Sequence, residues 1–197
     1  MIAMTGPLEF DAILVHIHGG GFVSMQSGSH QTYLCKWAAE VNMPIFSIDY
    51  WLAPDHPFPA ALNDVYQVYV WLVNNMESQM KMKAKKIFIS GDSAGGNLTF
   101  ALTNLIIQTG VWRPDKIFPN YPACFISMKW MMPSYLLSLD DPILPAAFLA
   151  MCVDKYQGDL NSDDFYYMCV GKTPDKILKE YPPVMIQTAG NDPLRDG

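Results

Sequence analysis

The chain has 197 residues, of which 50% are hydrophobic, 13% aromatic and 16% charged, with a formal net charge of -6. That length suits one domain with a sizeable core, and the apolar content excludes a disordered tail or a fibrous protein. The acidic balance offers no basic face for phosphates, which argues against nucleic acid and against an electrostatic membrane anchor.

The N-terminal Met1 to Pro7 has neither a basic start nor a signal-like apolar core, and nowhere do about 18 apolar residues run uninterrupted. A soluble, cytoplasmic protein without a transmembrane segment is expected. Cys35, Cys124, Cys152 and Cys169 are scattered with no Cys-x-x-Cys pair, which suggests reduced, buried thiols rather than a disulfide framework or a zinc site. No metal and no cofactor is implied by any motif.

Ala12 to Ile17 is a nearly continuous β-branched and apolar run, suited to a parallel strand buried on both faces. It ends in His18-Gly19-Gly20-Gly21-Phe22, three glycines that let the chain approach a ligand closely and aim amides at it. From Ser29, taken as an N-cap, Leu34, Trp37, Ala38 and Val41 recur at helical spacing. Pro44 to Tyr50 reads as a second buried strand. Leu62, Val65, Tyr66, Tyr69 and Val73 mark a second amphipathic helix, with the basic Lys81 to Lys86 stretch as its solvated exit loop.

Ile87-Phe88-Ile89-Ser90 then runs into Gly91-Asp92-Ser93-Ala94-Gly95, and Leu98, Ala101, Leu102 and Leu105 continue as a helix. A serine at the tip of such a strand-turn-helix is held clear of the backbone, while small residues at positions 91 and 95 let strand and helix pass. The helix N-terminus beyond it favours negative charge, and the Ala94 N–H is placed to bind it. Ser93 is the candidate nucleophile. Lys116 to Phe118 suggests a further strand. Residues 122–181 break the rhythm with prolines, methionines and aromatics around one helix starting near Pro145, which reads as a lid or pocket-lining insertion. Pro183 to Thr188 is a last strand, followed by Asn191-Asp192-Pro193-Leu194.

Alternating strands and helices predict an α/β fold, a mostly parallel sheet with helices on both faces and functional groups at the carboxyl ends of its strands. The glycine loop, Ser93 and Asp192 all fall there. One partial domain over 1–197 is expected.

His18-Gly19-Gly20-Gly21 and, some 70 residues on, Gly91-Asp92-Ser93-Ala94-Gly95-Gly96-Asn97-Leu98 resemble the hormone-sensitive lipase family of α/β-hydrolases. Ser47-Ile48-Asp49-Tyr50, Leu52-Ala53-Pro54, Pro57-Phe58-Pro59-Ala60 and Asp192-Pro193-Leu194 extend the likeness. Tyr121-Pro122-Ala123, Leu136-Leu137-Ser138-Leu139 and Asp141-Pro142 are similar to eukaryotic rather than bacterial members.

The resemblance implies a serine hydrolase of lipophilic acyl esters such as acylglycerols, working through an acyl-enzyme and associating with lipid-droplet surfaces. It implies Ser93 as nucleophile and Asp192 as the acid that orients a histidine, with Asp141 as competitor. Gly19, Gly20, Gly21 and Ala94 would form the oxyanion hole, and His18, Gly91, Asp92 and Gly95 would support the two motifs. Trp51, where many members carry Arg, would pack at the pocket edge.

The family's order is Ser, acid, His, and no histidine follows Ser93. His18 would hold the loop's shape, and His16, His30 and His56 read as a strand residue and surface residues. The chain is therefore expected to be an inactive piece of a longer, active gene product. The alternatives are a hydrolase-like small-molecule receptor and a pseudoenzyme.

Overall fold

In a computed structural model, residues 7–127, 132–160 and 165–196 are described; parts of the predicted insertion, 128–131 and 161–164, lie outside them. The strands are β1 (Leu8–Phe10), β2 (Ile13–Ile17), β3 (Ile45–Ile48), β4 (Met82–Ala84), β5 (Ile87–Asp92) and β6 (Lys116–Asn120). The helices are α1 (Gln31–Val41), α2 (Ala60–Met80), α3 (Ala94–Thr109), α4 (Pro133–Leu137), α5 (Ala146–Gln157) and α6 (Asp175–Leu178).

The main sheet has the order β3-β2-β5-β6, parallel throughout. The chain leaves β2 for β3 on one side and then crosses back over β2 to β5 on the other, so the strand order reverses there and the crevice at the carboxyl ends lies between β2 and β5. Register brings His16 opposite Ser90 and Ile17 opposite Gly91, which sets the ends of these two strands side by side.

All five residues of β2 are buried, as a central parallel strand covered by helices on both faces requires. Core residues Ile13, Val15, Ile17, Ile87, Ile89 and Ile117 meet Val65, Tyr69 and Leu72 of α2 and Leu98, Ala101 and Leu102 of α3.

The expected helices form, with corrections. Ser29 is not the N-cap of α1: Ser27–His30 is a 3-10 turn, and His30 occupies that position without a side-chain cap. Only Leu34 of the expected apolar face is buried, while Trp37 and Val41 are exposed. The basic Lys81 to Lys86 stretch is not simply a loop, because β4 within it pairs with β1 as a separate two-stranded parallel sheet.

Residues 183–188 run parallel to β6 through two isolated bridges, Ile117 with Val184 and Asn120 with Gln187, rather than as a full strand. Ile117 N–H donates to Pro183 O, and Ile117 O accepts from Met185 N–H, at 3.1 Å each. The next rung needs an N–H at residue 119, and Pro119 has none.

Candidate active site

Ser93 stands alone between β5 and α3, with φ +56 and ψ -116. A non-glycine residue at positive φ stores strain, held here by hydrogen bonds on both sides. Ser93 N–H donates to Asn120 O at 2.9 Å, and its carbonyl accepts from Asn97 N–H at 3.1 Å and Ala123 N–H at 3.3 Å. The hydroxyl makes no hydrogen bond among the described residues.

Close approach fixes this turn in place. A Cβ built on Gly95 would fall 2.1 Å from Ile17 O and 2.6 Å from His18 O, so α3 starts directly against the end of β2. The glycine loop leaves from that same end. Gly20 (φ +109) and Gly21 (φ +63) adopt left-handed backbone that tightens the loop. Gly20 O accepts from Val23 and Ser24 N–H at 3.1 Å each and from Ser24 Oγ at 3.0 Å. The Gly20 and Gly21 N–H groups have no acceptor among the described residues, and Ala94 N–H, in the first turn of α3, has no intrahelical one.

Gly21, Ser93 and Ala94 line one cleft of about 800 Å³, its open mouth included. Its other walls are largely apolar: Phe22 from the loop, Ala123 to Ile126, Tyr135 and Leu144, and Leu149, Cys152 and Val153 of α5. Asn97 braces that wall, its Nδ2 donating to Ala123 O and Met168 O at 2.7 Å each. A Cβ on Gly21 would meet Cys152 Sγ at 2.6 Å, so α5 backs the loop directly. Burial pushes both Cys124 and Cys152 thiols up to about 11, which keeps them protonated and apolar in character.

Pro193 and Leu194 enter the same cleft, and Asp192 sits just behind them. Its Oδ1 accepts from Leu194 N–H at 2.8 Å. Burial raises the Asp192 carboxyl above its ordinary value, the Leu194 bond opposes this, and the charge of Asp141 adds to it. The two acid candidates thus border one depression. Asp141 Oδ1 is taken by Ile143 N–H (2.8 Å) and Leu144 N–H (2.7 Å), which makes it a turn cap. No hydrogen bond joins Ser93 to Asp192.

The histidines lie elsewhere. Burial holds His18 below its ordinary value, while its Nδ1–H donates to Gly19 O at 2.7 Å and its ring stacks on Tyr50 at 4.2 Å. His30 is buried at 6% exposure, contrary to the surface position expected for it. With His16 and Tyr33 it surrounds the Asp92 carboxylate, at 3.1 Å from His30, 3.5 Å from His16 and 3.4 Å from the Tyr33 hydroxyl. Burial alone would raise Asp92; the hydrogen bonds and charge of His16 and His30 outweigh it and leave the carboxyl below its ordinary value. Sequence spacing gives no signal for this cluster. His56 leans on the exposed Trp51, which borders a separate depression with Asp49 and Asp64 and not the Ser93 cleft.

Among the described residues no group of three or more His, Cys, Asp or Glu side chains could hold a metal, and no helix is long and apolar enough to cross a membrane.

The chain is 45% identical over 154 residues to hormone-sensitive lipase of Mus musculus, covering 78% of this chain and 20% of the lipase. It is 29% identical over 187 residues to carboxylesterase NlhH of Mycobacterium tuberculosis, covering 93% of this chain and 57% of that enzyme. It thus spans about a fifth of the mammalian relative and somewhat over half of the bacterial one. Its fold matches the hyperthermophilic esterase of Pyrobaculum calidifontis with a TM-score of 0.88 at 29% identity, over 96% of this chain and 61% of that one. Carboxyl esterase 2 of Tuber melanosporum, at 23% identity and TM-score 0.88, shares the fold over 94% of this chain and 59% of its own. The family model described as alpha/beta hydrolase fold matches residues 14–197, so the chain belongs to the α/β-hydrolase fold family, among relatives of the hormone-sensitive lipases.

Proposed function

We propose that the protein carrying this chain is a serine carboxylic-ester hydrolase acting on lipophilic acyl esters such as acylglycerols. The observation that carries this is the Ser93 hydroxyl, without a hydrogen bond among the described residues, on a strained turn at the wall of an apolar cleft it shares with Gly21 and Ala94. The names of the relatives, lipase and esterase, support it.

Ser93 Oγ attacks the ester carbonyl carbon as a general base takes its proton; the tetrahedral oxyanion is bound by the N–H groups of Gly20, Gly21 and Ala94. Collapse expels the alcohol, to which the base returns the proton, leaving an acyl-Ser93 ester that water hydrolyses by the same steps. Asp192 is assigned to orient the base because it adjoins Pro193 and Leu194, which line the Ser93 cleft; its Oδ1 accepts from Leu194 N–H and its Oδ2 has no partner among the described residues. His16, His18 and His30 are held in contacts away from Ser93 and His56 packs on Trp51 outside its cleft, so the base is assigned to a histidine outside these 197 residues, and the 197-residue chain alone is expected to be inactive. His18 and Asp92 support the loop and turn, and Gly91 and Gly95 give the close packing.

Residues 122–181 serve as the pocket-lining insertion. Leu137 (79% exposed) and Ile143 (90%) flank the cleft residues Tyr135 and Leu144, which supports contact with a lipid-droplet surface from a cytoplasmic location.

The test is turnover of a short-chain chromogenic ester by the full-length gene product, beside Ser93→Ala and the isolated 197 residues. Turnover that survives Ser93→Ala refutes the nucleophile, and turnover by the isolated chain matching the full protein refutes the assignment of the base.

A further inference from the structure

Gly19, Asp92 and His30 come from three separate parts of the chain and meet at one point beneath the glycine loop. A Cβ on Gly19 would fall 2.6 Å from Asp92 Oδ2 and 2.8 Å from Asp92 O, so the loop's first glycine rests on the residue preceding Ser93. His30 Nε2 lies 3.1 Å from that same Oδ2 and 3.4 Å from Gly19 N. We propose that His30 is a positioning residue for the reaction proposed above: it pins the Asp92 carboxylate that supports Gly19, and so sets the Gly20 and Gly21 amides relative to Ser93.

One nitrogen cannot both donate to Asp92 and accept from Gly19. Both ring nitrogens face an oxygen, Nε2 that of the ionised, largely buried Asp92 carboxylate at 3.1 Å and Nδ1 the Gln26 carbonyl at 3.4 Å; the shorter, charge-assisted bond is about twice as strong as a neutral one, so Nε2 carries the hydrogen and donates it to Asp92. Tyr33 supplies a second donor to the other oxygen at 3.4 Å, and burial beside Asp92 keeps its phenol protonated. His16, with Nδ1 at 3.2 Å from Ser47 Oγ and Nε2 at 3.1 Å from the Tyr33 hydroxyl, completes the enclosure.

His30 is itself fixed from outside the site. Its 3-10 turn is clamped at the start by Asp49, just beyond β3, whose two oxygens accept Ser27 N–H at 2.6 Å and Ser27 Oγ–H at 2.8 Å. The chain of support therefore runs from the end of β3 through the turn and the imidazole to Asp92, and from there to the loop. Removing the Nε2 donor leaves a buried carboxylate short of a partner directly against Gly19, whose N–H, 3.4 Å from Nε2, is drawn toward it. Taking that N–H rotates the Gly19 peptide and the amides that follow it. Oxyanion donors act through placement, and a displacement of about 1 Å can cost on the order of 100-fold in rate.

Two substitutions of nearly equal shape separate the donor from the bulk. His30→Gln keeps an N–H at the reach of Nε2, whereas His30→Met fills similar space with none. In the full-length protein, His30→Met is expected to lower kcat on the order of 100-fold with KM within about threefold, and His30→Gln to stay within about fivefold of wild type. Hydrogen exchange of the peptide covering residues 18–24 is read in parallel; it is expected to quicken in the Met variant and not in the Gln variant. Wild-type kcat and exchange in His30→Met overturn the proposal, as do equal losses in both variants, which would make the ring a packing element only. If the wild type shows no Ser93-dependent turnover, the hydrolase reading fails, and the exchange comparison still decides whether His30 positions the loop.

Discussion

Gly95→Ala sets two effects of opposite sign against each other. In a helix interior, alanine is favoured over glycine by about 1 kcal/mol. At this position the new methyl would stand 2.1 Å from Ile17 O and 2.6 Å from His18 O, both main-chain atoms that cannot swing aside. Restoring an ordinary contact of 3.4 Å requires α3 and the end of β2 to part by about 1.3 Å (3.4 − 2.1). Overpacking of this kind costs about 1–3 kcal/mol, and main-chain obstacles put it at the upper end. The net expectation is about 2 kcal/mol of destabilisation, a fall in Tm of roughly 4–8 °C for a chain of this size.

The larger effect is on the site. The parting separates Ala94 N–H from the glycine loop, and kcat for ester turnover is expected to fall on the order of 100-fold. The assay pairs thermal unfolding with steady-state kinetics of the full-length protein. Gly28→Ala serves as control, since its nearest neighbour is the flexible Gln26 amide at 3.6 Å and no positive φ is involved. A Gly95→Ala variant with unchanged or raised Tm and kcat within twofold of wild type would refute the reasoning.

Asn97→Ala removes two 2.7 Å hydrogen bonds and strands the buried carbonyls of Ala123 and Met168, so a loss of about 2–4 kcal/mol is expected in urea unfolding. Because the folded state holds the Asp92 carboxyl below its ordinary value of 3.8, its contribution is complete above that value and is lost as pH falls through the lower folded one. The stability gap between wild type and Asp92→Asn should therefore be wide at pH 7 and narrow toward pH 3 in denaturant titrations. With thiols pushed to about 11, Cys124 and Cys152 are thiolate in roughly one part in 3,000 at pH 7.5, so iodoacetamide should label the exposed Cys35 first, as peptide mapping would show.

What could be read from the sequence was local. An apolar run, a Gly-x-Ser-x-Gly turn and a helical pattern within 20 residues specify β5, Ser93 and α3 without reference to anything distant. The burial of His30 is not legible locally, because its partner Asp92 lies 62 residues away and nothing in Ser29-His30-Gln31 announces it. The β1–β4 pairing was missed for the same reason: two three-residue strands, one inside a basic run, acquire meaning only from each other. For the 122–181 stretch the sequence predicts one helix, and its described residues hold α4, α5 and α6, two of them only four or five residues long and too short for a period to register. The edge segment 183–188 has the composition of a strand, but its ladder is broken by Pro119 on the neighbouring strand.

The β2–β5 pairing described above joins residues 74 apart in sequence (87 − 13), with Ile13 opposite Ile87. Neither the glycine loop nor the Ser93 turn can assume its working relation to the other until that long loop has closed, and contacts of such sequence separation form slowly because the chain entropy is spent before they repay it. Helices α1 and α2, which lie between, can form from local contacts well before. In a refolding experiment, helical signal should accordingly recover ahead of Ser93 reactivity toward a phosphonate probe, and the interval between them times the closure of the β2–β5 seam.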